Sequence, residues 1–168
     1  KSDVFFRYLA TGTTIRVSVD SEGAQGNGES RFPSLSADGR FVAFDSQATN
    51  LVAGDTNGSH DIFVRDLTMK TTIRISLGTA GAQGNGRSTV PLISADGHIV
   101  AFTSEASNLV AEDTNGEHDV FVRNLSTGVT SRASVDTVGV QGNDESYARS
   151  ISADGRIVAF FSYASNLV

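Results

Sequence analysis

The sequence has no cysteine and no tryptophan, one methionine, and only two prolines among 168 residues. Without cysteine there can be no disulfide framework, no thiolate metal site and no haem attachment. No apolar run approaches the roughly 18 residues of a membrane-spanning helix, and no signal-peptide pattern opens the chain. The chain begins on Lys1 rather than Met, which points to a processed or excised piece. Basic residues are also scarce: 13 Lys and Arg stand against 19 Asp and Glu, for a net charge of -6. An acidic balance with no Lys/Arg cluster argues against a phosphate-binding surface, so nucleic acid is not an expected partner. What the chain does have is 17 glycines and a 39% hydrophobic content, enough for one domain with a sizeable core.

A tandem repeat organises these residues. Asp3-Val4-Phe5, Asp61-Ile62-Phe63 and Asp119-Val120-Phe121 lie 58 residues apart. The same period carries Ser36-Ala37-Asp38-Gly39, Gln25-Gly26-Asn27 and Asn50-Leu51-Val52 into their two later copies, with no insertion. Within a unit the pattern is that of strands. Phe41-Val42-Ala43-Phe44 follows an Asp-Gly turn and reads as a strand buried on both faces. Asp61 to Arg65 and Thr72 to Ser76 are rich in β-branched and aromatic residues, and no apolar stripe has helical spacing. The expected strands are A at Leu35–Ser36, B at Phe41–Asp45, C at Ile62–Leu67 and D at Thr72–Leu77. Four strands per 58 residues predict an all-β propeller with four-stranded blades.

The segment Ser-Ala-Asp-Gly-Arg-Phe-Val-Ala-Phe at 36–44, followed by Asp-Ile-Phe-Val-Arg-Asp-Leu at 61–67, resembles the PD40 repeat of TolB-like propellers. Ala37, Ala95 and Ala153 stand where that family usually has proline, and the Asp-Gly turn is retained. The resemblance implies a scaffold that contacts other proteins or cell-envelope components in the periplasm or outside the cell. Function is less specified than fold, because such propellers serve many roles.

Read from the N-terminus, residues 1–168 give a C-D half blade (1–20), two blades (about 30–78 and 88–136) and an A-B half blade (about 146–168). Three blades cannot close a ring. Two copies joined head to tail would complete each other's half blades and make a six-bladed homodimer; a fragment of a longer propeller, or three copies making nine blades, are the alternatives.

Two loops invite a metal reading. Asp55, Asn57 and Asp61, and again Asp113, Asn115 and Asp119, space side-chain oxygens as a calcium ion would require. The competing reading is an Asn-Gly turn whose flanking aspartates cap backbone amides. His60, His98 and His118 read as surface or loop residues, and zinc catalysis is not expected. The recurring Arg65 and Arg74 pairs read as structural ion-pair members, with Asp66, Asp20 or the Asp-Gly turn aspartates as partners. Positions that differ between copies escape the structural demand of the repeat and form the candidate ligand surface: Arg31/Thr89/Tyr147 and Gln47/Glu105/Tyr163, beside Glu29/Arg87/Glu145 and Asp45/Thr103/Phe161. The function these features favour is a non-catalytic binding module. A propeller-type hydrolase or lyase, or an accessory domain of a peptidase, is the rival, and an acidic pair on the channel face would favour it. A structural or engineered assembly with no ligand is the third reading.

Overall fold

In the computed structural model, which describes residues 1–168, the chain forms twelve strands and no helix. No segment is therefore a helix long and apolar enough to cross a membrane. The strands are β1 (Phe5–Tyr8), β2 (Thr13–Arg16), β3 (Ser30–Leu35), β4 (Phe41–Ser46), β5 (Asp61–Asp66), β6 (Thr71–Arg74), β7 (Ser88–Ile93), β8 (Ile99–Ser104), β9 (Asp119–Asn124), β10 (Thr130–Arg132), β11 (Ser146–Ile151) and β12 (Val158–Ser162). They make two complete antiparallel sheets, β3-β4-β5-β6 and β7-β8-β9-β10, flanked by the two-stranded sheets β1-β2 and β11-β12.

The apolar runs explain the stacking. In β4 successive side chains point to opposite faces, so Val42 and Phe44 pack toward β1-β2 while Ala43 packs toward the next full sheet. The first core joins them to Val4, Val17, Ala48, Leu51 and Phe63. The second gathers Ala43, Ile62, Val64 and Ile75 with Ile93, Val100, Phe102 and Phe121. Stacked pairs Phe44–Phe63 and Phe102–Phe121, with centroids 5.9 and 6.0 Å apart, occupy equivalent places in the two sheets. Each fully buried ring contributes about 1.5–3 kcal/mol.

Backbone bonds also link sheet to sheet at repeat-equivalent places. Ser30, Ser88 and Ser146 donate to the carbonyls of Ser2, His60 and His118, and the Ala37 and Ala95 amides donate to the carbonyls of Ala95 and Ala153. The β3, β7 and β11 strands are thereby held side by side.

Strands B and C lie within one residue of the sequence reading, and strands A and D depart further from it. Strand A spans Ser30–Leu35 rather than starting at Leu35. Its register against β4 slips between Arg31 and Ser34, so that Phe32 and Pro33 form a bulge, and a proline is tolerated there because a bulge needs no ladder N–H. Strand D stops at Arg74. Beyond it the Ser76 hydroxyl turns inward to Asp61, and Leu77 makes only an isolated bridge to Gln83.

Candidate functional site

The loops expected to bind calcium do bring their carboxylates together, but around a guanidinium. Arg74 Nη1 lies 3.4 Å from Asp55 and 3.3 Å from Asp61. Gln83 donates to the same two carboxylates, at 2.9 and 3.2 Å. Asn57 turns its amide nitrogen toward Asp61 (3.0 Å) and uses its oxygen to accept from the Ser59 amide. Asp113, Asn115 and Asp119 repeat the arrangement around Arg132, at 3.7 and 3.3 Å from the two carboxylates. Each loop thus sets a guanidinium beside its two aspartates, and no group of three or more His, Asp or Glu side chains is placed to hold a metal ion. Burial pushes Asp55 and Asp113 above the usual carboxylate range, and the neighbouring acid adds to the effect.

The second arginine series departs from the ion-pair expectation. Arg65 donates to the Asp20 carbonyl (2.7 Å) and the Thr72 hydroxyl (3.0 Å), and Arg123 donates to the Leu77 carbonyl and Thr130. These guanidiniums tie one sheet to the loop of the sheet before it. Asp66 is paired instead with Arg40, at 2.6 Å.

The positions that differ between repeats converge along the starts of β3, β7 and β11 and the ends of β4, β8 and β12. Arg31 faces Asp45 across the β3–β4 ladder, Thr89 faces Thr103, and Tyr147 faces Phe161. The rows also touch from sheet to sheet: Thr89 donates to Asp45 Oδ2 at 2.6 Å, and the Ala148 amide donates to the Thr103 hydroxyl. At one end of this rim Arg31, Glu29, Asp45 and His60 form a charged cluster. His60 lies 3.5 Å from each carboxylate, and an Arg31 amino group lies 3.2 Å from its Nε2. At the other end the rim is aromatic. Tyr147 stacks on Phe161 at 5.0 Å and approaches His118 at 5.2 Å, and Tyr163 meets Phe161 edge-on. Two carboxylates border these rings. Glu145 accepts from the Tyr147 hydroxyl (2.7 Å), which pushes that phenol up to about 12, and Glu105 lies 3.5 Å from His118.

His60 and His118 are therefore rim residues, not the plain loop histidines the sequence suggested. Extending the β4–β5 register by one step beyond Ser46↔Asp61 sets Gln47 opposite His60, and that arithmetic was available in the sequence. His98 remains in a turn, beside Ser126. Gln47 adjoins the charged cluster: its backbone amide donates to the Glu29 carbonyl, and the two residues share a shallow pocket with Lys1, Asn27 and Thr49.

Two observations mark the rim. Four buried side-chain polar atoms in the chain lack a hydrogen-bond partner, and three of them belong here: Arg31 Nε, Asp45 Oδ1 and His118 Nδ1. Such atoms are uncommon and costly. The strands are also strained beside it. Phe32 and the β-branched Val90 hold φ of 50° and 52°, a region non-glycine residues rarely occupy. The largest concavity, about 700 Å³, lies elsewhere, between Val110–Thr114 and Val135–Gln141 on the loop side. Two smaller grooves, one at Gly78–Ala82 with Asn108–Ala111 and one at Asp20–Glu22 with Asn50–Ala53, are repeat equivalents of each other.

No family model matches the chain, and no curated protein does. Solved structures do. TolB from Acinetobacter baumannii superimposes with a TM-score of 0.59 at 22% identity, over 98% of this chain and 33% of its own. A putative TolB from Agrobacterium tumefaciens gives 0.55 at 17%, over 96% and 50%. The tricorn protease gives 0.56 at 15%, over 94% and 12%. The fold is that of a TolB-like β-propeller, and the chain spans a third to a half of the TolB structures it matches.

Proposed function

We propose that this chain, built of PD40-type repeats, is a non-catalytic propeller module that binds a cell-envelope glycan at the aromatic end of its rim, in the periplasm or outside the cell. Arg31, Thr89 and Tyr147, with Gln47, Glu105 and Tyr163, are the residues assigned to recognition. The reading is carried by the cluster of Tyr147, Phe161 and Tyr163, beside which the buried His118 Nδ1 has no hydrogen-bond partner. Tyr163 is 65% exposed, and its ring, set edge-on to Phe161, suits the apolar face of a sugar ring. Glu105 and Glu145 supply acceptors for hydroxyl groups, in keeping with the general make-up of small-ligand sites.

The hydrolase reading has one observation in its favour, since Glu29 and Asp45 flank a single imidazole as a pair of carboxylates. Both are engaged by His60 and approached by Arg31 within 4 Å, and Asp45 is fully buried and accepts from Thr89. A carboxylate so enclosed cannot reach a glycosidic oxygen, and binding is the better account.

With no tryptophan and only three tyrosines, two of them at this rim, intrinsic fluorescence reports directly on the site. Titration with soluble peptidoglycan fragments should change the tyrosine emission saturably. Tyr147→Ala should weaken binding at least ten-fold while leaving the melting temperature nearly unchanged. No response to the glycan, or equal binding by the variant, overturns the proposal.

A further inference from the structure

Four asparagines precede a glycine, at 27–28, 57–58, 85–86 and 115–116. In such a pair no side chain shields the second backbone nitrogen, which is then able to attack the asparagine Cγ. The nitrogen gives its proton to solvent and bonds to Cγ, the Cγ–Nδ2 bond breaks, and ammonia leaves. Water then opens the resulting imide ring to aspartate or isoaspartate, so that an amide and water become a carboxylate and ammonium. We infer that Asn57 and Asn115 are fold-gated sites of this modification: silent in the native loop, reactive when the loop opens, and at odds with the native loop once converted.

The turn itself retains the reactive pair. Gly58 and Gly116 hold φ of 66° and 73°, where a side chain is disfavoured. Their surroundings are open, and their amides make no hydrogen bond within the chain. The attacking nitrogen is therefore exposed and unoccupied, and the restraint lies on the asparagine. Asn57 Nδ2 donates both hydrogens, to Asp61 Oδ2 at 3.0 Å and to the Gly84 carbonyl at 2.9 Å, while Oδ1 accepts from the Ser59 amide at 2.9 Å. Asn115 repeats the clamp on Asp119, the Gly142 carbonyl and the Glu117 amide, at 3.1, 2.9 and 3.2 Å. Turning Cγ onto the glycine nitrogen breaks these bonds, and the nitrogen that must leave is the one held twice.

The same bonds make the product a misfit. Replacing Nδ2 by a carboxylate oxygen sets it against Asp61 Oδ2 and a carbonyl, acceptor facing acceptor. Arg74 would then face a third carboxylate beside Asp55 and Asp61, and like charges so close oppose one another. Asn27 and Asn85 differ in this respect. Their Nδ2 atoms donate to the hydroxyls of Thr49 and Ser107, which are able to turn and donate to a carboxylate instead. Opening of the loops is thus recorded at Asn57 and Asn115 as a lasting loss of stability, a chemical route to irreversible unfolding.

The gate is tested by holding native protein and protein in guanidinium chloride side by side at mildly alkaline pH. Peptide mass spectrometry then reads the amide-to-acid mass gain at each asparagine. In denaturant all four Asn-Gly pairs should convert at similar rates, and Asn143, which precedes Asp144, far more slowly. In the native protein Asn57 and Asn115 should convert about ten-fold more slowly than in denaturant, or slower still. Comparable conversion of these two in both samples, or none in denaturant, overturns the inference. The misfit is tested by urea unfolding of N57D/N115D against N27D/N85D. The first pair should lower the folding equilibrium about ten-fold per site, and the second should leave it nearly unchanged. N57D/N115D as stable as the unaltered chain, or N27D/N85D equally weakened, overturns that part. If the double variant N57D/N115D does not fold, N57D alone is compared with N27D.

Discussion

The buried ends of strand C and the rim of strand A are two solutions to the same repeat. At the first, Asp61 and Asp119 occupy the same place in successive sheets and keep the same partners. A serine just beyond strand D donates (Ser76 or Ser134), an arginine pairs across (Arg74 or Arg132), and an asparagine closes from the loop. At the second, Arg31, Thr89 and Tyr147 share a backbone position yet meet three different environments, and polar atoms are left over. Two of the four unsatisfied buried atoms, Arg31 Nε and Asp45 Oδ1, sit on divergent side chains, and the uniform cluster contributes one, Arg74 Nε. A repeat therefore separates scaffold from recognition by its own internal comparison, without an alignment of relatives.

The sharpest way to break the scaffold is Asp61→Ala. It leaves Arg74 with Asp55 as its remaining carboxylate and the buried Ser76 hydroxyl without its acceptor, and losing one partner of a buried pair costs about 3–5 kcal/mol. Urea unfolding should show that loss. A comparable loss from Glu105→Ala at the rim would erase the distinction between the two regions.

Thr89→Val tests the one rim residue that the scaffold also uses. It removes the hydrogen bond to Asp45, which then keeps a buried carboxylate with no donor, for an expected loss of about 1–3 kcal/mol. Gly97→Ala follows, at about 1–2 kcal/mol. Gly97 has φ of 77° and lies against the Phe41 ring of the adjacent sheet, so a methyl group meets both backbone strain and a clash. Both losses are read from thermal or urea melts.

Two smaller effects are electrostatic. Glu145→Gln should bring the Tyr147 phenol down from about 12 toward the usual 10.0, seen in absorbance at 295 nm against pH. Asp38, Asp96 and Asp154 are each held below the usual carboxylate value of 3.8, by the hydroxyls of Ser36, Ser94 and Ser152 and then by backbone amides. A lowered carboxylate stabilises the fold in full above its unfolded value. That stability fades as pH falls from about 3.8 toward the folded value. Ser94→Ala should lower stability at neutral pH and leave it nearly unchanged at pH values below the folded one, which flattens the acid limb of the profile.

Strands B and C were legible because burial on both faces writes them as continuous apolar runs such as Phe41-Val42-Ala43-Phe44. Strand A was not, since Ser30-Arg31-Phe32-Pro33-Ser34 mixes charge, ring and proline and acquires its strand character only through a bulge. The divergent rim positions were visible by comparing copies. The histidines were missed because their importance lies in cross-strand register, where His60 falls beside Arg31 rather than near it in sequence. The loop aspartates were recognised as converging, but Arg74, 13 residues beyond Asp61, carried no local sign that it would supply the cation.

The identical β4–β5 and β8–β9 registers also bear on how the chain reaches its fold. A strand that matches its own partner also matches the equivalent strand 58 residues away, so the growing chain contains wrong partners nearly as good as the right one. Repeat arrays of this kind are prone to misassembly between neighbouring units. What favours the correct outcome is proximity, since within a sheet each strand pairs with one next to it in sequence, and short loops close faster than long ones. Refolding should accordingly be efficient from dilute solution and progressively poorer as concentration rises, with mispaired copies accumulating in steps of whole units.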